Sequence, residues 1–317
     1  MRAGAASMER PTGQPIALPG RNLRKSLGGF GWAALSVTVF SGWFVVTRFS
    51  VTHDLRIWDV MALRFGGGAL ILLPVLFRRA SRLPGRAWLE GLLFAALWGA
   101  PFVFFVALGL QLTSAAQASA VTPALMPVFA GLIGWLSLRE PPGGLRLVGY
   151  LIIVGGLAAL VIGNAPSDGR PSLGGIASLI LAAAMWGIYT LRFRRSGLTP
   201  LQAAALICFW SALLYLPPYL LFGLSHLDDA SVQELMFHVV YQGVLMSVVA
   251  VLAFNRAVTL LGADAGTVII ALLPVIVAAL AVPVLGEIPS RLSAMAIGAI
   301  AVGVLLAARP APSRRPI

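Results

Sequence analysis

The chain has 317 residues, of which 59% are hydrophobic and only 11% charged, with a mean hydropathy of +0.90. Soluble domains carry about 25% charged residues, so this chain cannot cover a water-facing surface and reads as an integral membrane protein. Its net charge of +12 does not indicate nucleic acid, because the basic residues fall in short clusters between apolar runs (Arg78, Arg79, Arg82 and Arg86, for example) rather than along one continuous face.

The first 28 residues are polar, contain Pro11, Pro15 and Pro19, and have no apolar core before Gly28. They are expected to be a disordered cytoplasmic leader rather than a cleavable signal. A membrane-crossing helix needs about 20 mostly apolar residues. Such runs are predicted near 29–50, 57–77, 88–110, 115–138 and 145–163, then near 173–191, 200–223, 236–260, 264–285 and 291–308. Residues 309–317 form a short tail. Links as brief as Gln111–Ser114 force neighbouring helices to run antiparallel. The single cysteine, Cys208, lies inside an apolar run, which leaves neither a disulfide framework nor a thiolate metal cluster.

Basic residues in short loops mark the cytoplasmic side. With the N-terminus inside, the inner segments collect Arg2, Arg10, Arg21, Arg24 and Lys25, then Arg78, Arg79, Arg82 and Arg86. They also take Arg139, Arg146, Arg192, Arg194, Arg195, Arg309, Arg314 and Arg315, whereas the outer segments hold Arg48, Arg56, Arg170 and Arg291. The acids Asp54, Asp59, Asp168, Asp228, Asp229, Glu234 and Glu287 fall outside. Both termini are therefore expected in the cytoplasm, in a plasma membrane of the bacterial inner-membrane kind.

The chain repeats itself. "PALMPVFAGLIGWLSLREPP" from Pro123 and "ALLPVIVAALAVPVLGEIPS" from Ala271 align Pro127 with Pro274 and Glu140 with Glu287. "SGWFVVTR" from Ser41 and "AMWGIYTLR" from Ala184 align Trp43 with Trp186 and Thr47 with Thr190. Five spans separate each pair, so the partners run in opposite directions. The expected fold is an all-α integral membrane protein of ten transmembrane helices, arranged as two inverted five-helix repeats over 29–163 and 164–308. Halves related in this way can exchange conformations and alternately expose a midplane site.

These features together, with "LRF" at Leu63–Phe65 and the glycine runs "GYLIIVGGLAALV" and "IGAIAVGVLLAA", resemble the EamA branch of the drug/metabolite transporter superfamily. The resemblance covers roughly residues 29–308. It implies an exporter of amino acids, related metabolites or toxic compounds, with a central cavity lined by spans 1, 3, 4, 6, 8 and 9.

Polar and aromatic residues inside the bilayer mark candidate sites, since burying them unpaired is expensive. The substrate-binding candidates are Trp43, Thr47, Trp98, Phe105, Ser119, Thr122, Trp186, Tyr189, Thr190, Ser247, Asn255 and Thr267, with Trp43 and Trp186 a possible gate pair. Pro127 and Pro274 interrupt the hydrogen bonding of spans 4 and 9 and are candidate hinges. Glu140 and Glu287 are read as structural charges at the mouths of the helices that follow them. Arg64 is read as structural too, pairing with Asp59 a turn away or with a substrate carboxylate. Arg256 could snorkel from the inner end of span 8.

No Asp or Glu falls at the middle of a span, and no Walker A sequence is present. A mid-membrane proton relay and direct ATP drive are therefore not expected, nor is an ATP-binding subunit, a cofactor or a nucleic-acid partner. The expected partners are a small-molecule substrate and the lipid bilayer. The leading function is a secondary transporter exporting a small polar metabolite such as an amino acid. The competing readings are efflux of drug-like compounds, a channel, a structural membrane subunit, or an intramembrane enzyme using His53, His226 or His238 with the acids near them.

Overall fold

The computed structural model describes residues 19–53, 55–78, 83–138, 142–162, 172–261 and 263–308. Apolar runs that leave water must satisfy every backbone N–H and C=O internally, and helices do so within one segment. The described residues accordingly form helices joined by short turns, without a strand. We label the spans α1 (Pro19–Thr52), α2 (Ile57–Phe77), α3 (Gly85–Leu112), α4 (Ala115–Leu138) and α5 (Gly144–Ile162). The second half holds α6 (Leu173–Ser196), α7 (Pro200–Leu221), α8 (Val232–Leu261), α9 (Ala263–Leu285) and α10 (Arg291–Ala307). Nine of these contain a stretch long and apolar enough to cross a membrane, and α10 is a shorter apolar helix.

Three boundaries differ from the sequence reading. Helix α1 begins at Pro19, inside the stretch expected to be a leader; proline is well tolerated in a first helical turn, where its missing N–H costs nothing. Span 3 is not one helix but two, Gly85–Trp98 and Ala100–Leu112, broken at Gly99. Pro101 explains the break, since its ring cannot continue the helix that precedes it. The Ser211 hydroxyl of α7 accepts the Ala100 N–H freed there, at 3.2 Å. Span 8 starts at Val232 and passes through a π-helical stretch, Val239–Val249. Glu140 lies outside the described residues.

The packing has a two-fold pattern. Helix α1 packs on α8 and α9, as α6 packs on α3 and α4; α2 packs on α7 and α8, as α7 packs on α2 and α3. Helix α4 meets α9, and α5 meets α10. Exchanging each helix with the one five places on turns every pairing into another member of the set. The C-terminal ends of α1, α3 and α9 gather beside the start of α4, so the end of α9 lies opposite the end of α4. The halves are inverted.

Small residues carry the tightest crossings, where backbones approach most closely. On α5, a Cβ at Gly149 would meet backbone atoms of Gly303 and Ala307 on α10, and one at Gly156 would meet Ile300.

Candidate functional site

Several interior polar groups gather where α1, α2, α7 and α8 cross. The cause is local: a Cβ at Gly67 of α2 would stand 3.3 Å from the Gly243 Cα on α8, and one at Gly68 would press on Ser247 Oγ and Cys208 Sγ. Glycine thus lets α2 lie against the π-helical stretch of α8. Such stretches are rare and concentrate at functional sites. This one carries Gln242 and Ser247, with the Ser247 hydroxyl donating to the Gln242 carbonyl five residues back, at 3.2 Å.

Gln242 is fully buried. Its Oε1 accepts the Trp43 indole N–H at 2.9 Å, and its Nε2 donates to Thr47 Oγ1 at 3.4 Å. Arg64 of α2 lays its guanidinium over the Trp43 ring, 5.1 Å from the centroid. Its Nη1 is buried and has no hydrogen-bond partner. The expected pairing with Asp59 does not occur. Asp59 instead accepts Tyr219 Oη at 2.6 Å, the His226 N–H at 3.0 Å and the Arg56 N–H at 3.1 Å. Those bonds fix α2 to α7 and the following turn, and leave Arg64 without a counter-ion among the described residues.

A second cluster joins α3 to α6. Trp98 stacks on Tyr189 at 4.9 Å with planes 6° apart, and Trp186 lies 6.0 Å from both Trp98 and Phe102. The Trp98 Nε1 is buried without a partner. Trp43 and Trp186, the repeat partners, therefore sit in equivalent crossings (α1 on α8, α6 on α3), each held by the opposite half. No ring contact joins them to each other as a gate pair.

At one end of the bundle, Glu287 ties the halves together. A left-handed ending places it: Gly286 turns with φ 66°, its N–H reaching Val282 O at 3.1 Å in the single bond of an αL C-cap, and the Glu287 N–H reaching Ala281 O at 3.3 Å. One carboxylate oxygen then accepts Arg48 Nε of α1 at 2.9 Å, and the other accepts the Ala115 N–H at the start of α4, at 2.8 Å. Arg48 Nη1 also donates to the carbonyls of Leu110 and Gln111 at the end of α3, at 2.6 and 3.0 Å. The expectation that Glu287 serves the next helix is corrected: Ser290 caps α10, and Glu287 caps α4 of the other half. A cavity of about 670 Å³ opens beside this tie, its walls including His53, Arg56, Trp58, Phe104, Gln111 and Asp229. On the opposite side of the bundle Arg192 forms a bidentate pair with Glu90, at 3.0 and 2.9 Å.

The remaining candidates lie apart from the polar crossing. Ser119 bonds back to Ala116 O, Thr190 to Trp186 O, and the Asn255 amide to Val251 O, all on their own helices. Thr122 reaches Leu179 O of α6 at 3.4 Å. Phe105 meets Phe104, and Thr267 is half-buried on α9. Pro127 and Pro274 lie inside uninterrupted helices. Arg256 is exposed. His226 and His238 take separate partners, and no group of three His, Cys, Asp or Glu side chains gathers among the described residues. Gln242 escaped the sequence reading, although a lone polar side chain inside an apolar run is the signal that selected Ser247 on the same span. Arg48 also escaped, as a charge assigned to a loop.

A ten-helix bundle of two repeated halves, with polar groups collected at their crossing, defines a multi-pass membrane protein of transporter type. The EamA-like transporter family matches residues 27–162 and 173–309, one match to each half, and the chain belongs to that family. It is 25% identical to the uncharacterized transporter YetK of Bacillus subtilis over 262 residues, covering 80% of this chain and 78% of that protein. It is 32% identical to the uncharacterized protein PA1977 of Pseudomonas aeruginosa over 145 residues, 45% of this chain and about half (47%) of that one. A protein of known crystal structure superposes with a TM-score of 0.58 at 22% identity, over 90% of this chain and 96% of the other, and so shares the fold.

Proposed function

We propose that this protein is a secondary transporter that exports a small polar metabolite by alternating access, without altering it chemically. The observation that carries the reading is the exchange symmetry of the packing: α1 on α8 and α9 is matched by α6 on α3 and α4. Two halves that make equivalent contacts can trade conformations at little net cost, and each trade would move the opening from one end to the other. The Arg48–Glu287–Ala115 tie would hold one end shut. Loop charges support an exterior position for that end and a cytoplasmic position for both termini in the plasma membrane, because Arg78, Arg86, Arg146, Arg192, Arg194 and Arg195 fall toward the other end.

Proteoliposomes preloaded with unlabelled solute should accumulate labelled solute by counterflow, saturably and without an imposed gradient. A panel of amino acids, nucleobases, sugars and polyamines would identify the class. Current without counterflow would overturn the reading in favour of a channel. The Trp98, Trp186, Tyr189 and Phe102 cluster favours a second reading, efflux of aromatic drug-like compounds. Planar aromatic cations in the same panel separate the two.

A further inference from the structure

A guanidinium inside a membrane bundle normally finds a carboxylate, a backbone carbonyl or water, because an unpaired buried charge is costly. Arg64 has no such partner at Nη1 among the described residues. Its nearest acid in sequence, Asp59, already accepts three hydrogen bonds from other groups. Described ion pairs use Arg48 with Glu287 and Arg192 with Glu90, and neither includes Arg64.

Its position points inward. On α2, Ile57, Val60, Met61 and Gly68 lie on the same helical face as Arg64, and all four are buried. Arg64 itself is half-buried. Its Nη1 is enclosed within the bundle. The Trp43 ring lies against it, the Trp43 indole is held by Gln242, which also bonds Thr47, and Ser247 sits beside Gly68 one turn along α2. The Trp43 face holds the guanidinium by cation–π attraction without neutralising it. The result is a positioned cation with donors to spare, next to neutral hydroxyl and amide groups.

We propose that Arg64 is an anion-binding residue at the α1–α2–α8 crossing and receives a carboxylate carried by the transported solute. This rests on the transporter reading and narrows its substrate class to small carboxylates, amino acids included. A guanidinium matches a carboxylate through two parallel N–H donors, whereas an ammonium offers only a point charge. Trp43 and Gln242 act as positioning residues: one supports the guanidinium and the other fixes the indole.

The test uses the full chain purified in detergent and in proteoliposomes. Wild-type protein is screened by thermal shift against L-leucine and L-leucinamide, and against L-malate and its diamide. Carboxylates should stabilise it and the matched amides should not; equal shifts would overturn the proposal without needing a variant. Counterflow then compares wild type with Arg64→Lys and Arg64→Gln. The KM for the carboxylate should rise about 10- to 100-fold in Arg64→Gln, the loss expected for one charged hydrogen-bonding partner. Arg64→Lys should recover part of it. Should Arg64→Gln fail to fold, the wild-type amide comparison and the lysine variant still decide. Carboxylate counterflow whose KM is unchanged in both variants sinks the anion site and leaves the transporter reading standing; no counterflow of any solute sinks the transporter reading, while the thermal-shift comparison still judges the site.

Discussion

At the scale of single residues, the interior is governed by whether each polar atom finds a partner. Gln242 satisfies two helices at once, accepting from Trp43 and donating to Thr47. Gln242→Leu would strand the Trp43 N–H in a dry crossing, at a cost of about 1–3 kcal/mol. The thermal midpoint in detergent should fall clearly, and an unchanged midpoint would mean that water reaches the indole. Asp59→Ala should destabilise more than Tyr219→Phe, since the alanine leaves three donors unmet and the phenylalanine removes only one bond. Polar residues were legible as site markers because the bilayer makes them conspicuous. Their partners were not: Asn255 and Ser119 spend their hydrogen bonds on their own helices, while the amide that organises the crossing lies 199 residues from Trp43.

At the scale of helices, length and apolar content read cleanly, and irregularity did not. The ten apolar runs all became helices, yet the break at Gly99 and the π-helical stretch at Val239–Val249 were absent from the sequence expectation. Pro101 gave a local hint of the first. The second has no local cause; it accompanies the close approach of Gly67 to Gly243, a contact between distant segments. The glycine runs of α5 and α10 do not show by themselves which glycine packs. Gly149 faces backbone of α10, whereas a Cβ at Gly155 meets nothing within 4 Å. Gly149→Leu should therefore push α5 from α10 and cost about 1–3 kcal/mol, read as a lower midpoint for thermal aggregation. Gly155→Leu should behave like wild type, and equal effects at both sites would refute the α5–α10 contact.

At the scale of the whole molecule, the Glu287 tie joins the end of α9 to α1, α3 and α4. Both charged partners are about one-fifth exposed, and an ion pair so placed contributes about 1 kcal/mol or less. Glu287→Gln also weakens the bond to the Ala115 N–H. Loss of the ion pair alone should raise the population open at that end by about fivefold, since 1 kcal/mol corresponds to roughly that factor. The chain supplies its own reporter: Cys208, its single cysteine, is buried beside Gly68 and Ser247. Modification of Cys208 by a small methanethiosulfonate reagent should speed up in Glu287→Gln. An unchanged rate would mean that the tie does not close a path to the crossing.

Composition dictated a membrane protein, and apolar runs of about 20 residues dictated helices, because each such run satisfies its backbone within itself in lipid. The duplicated phrases, five spans apart, dictated opposed halves, because an odd number of crossings reverses direction. What no local pattern could decide was the pairing across those halves. That Glu287 caps α4 rather than α10, that Trp43 is held by Gln242, and that Arg64 stands without a counter-ion among the described residues all depend on contacts between segments distant in sequence. Such contacts are set by how ten helices share one interior, and only the assembled bundle determines them.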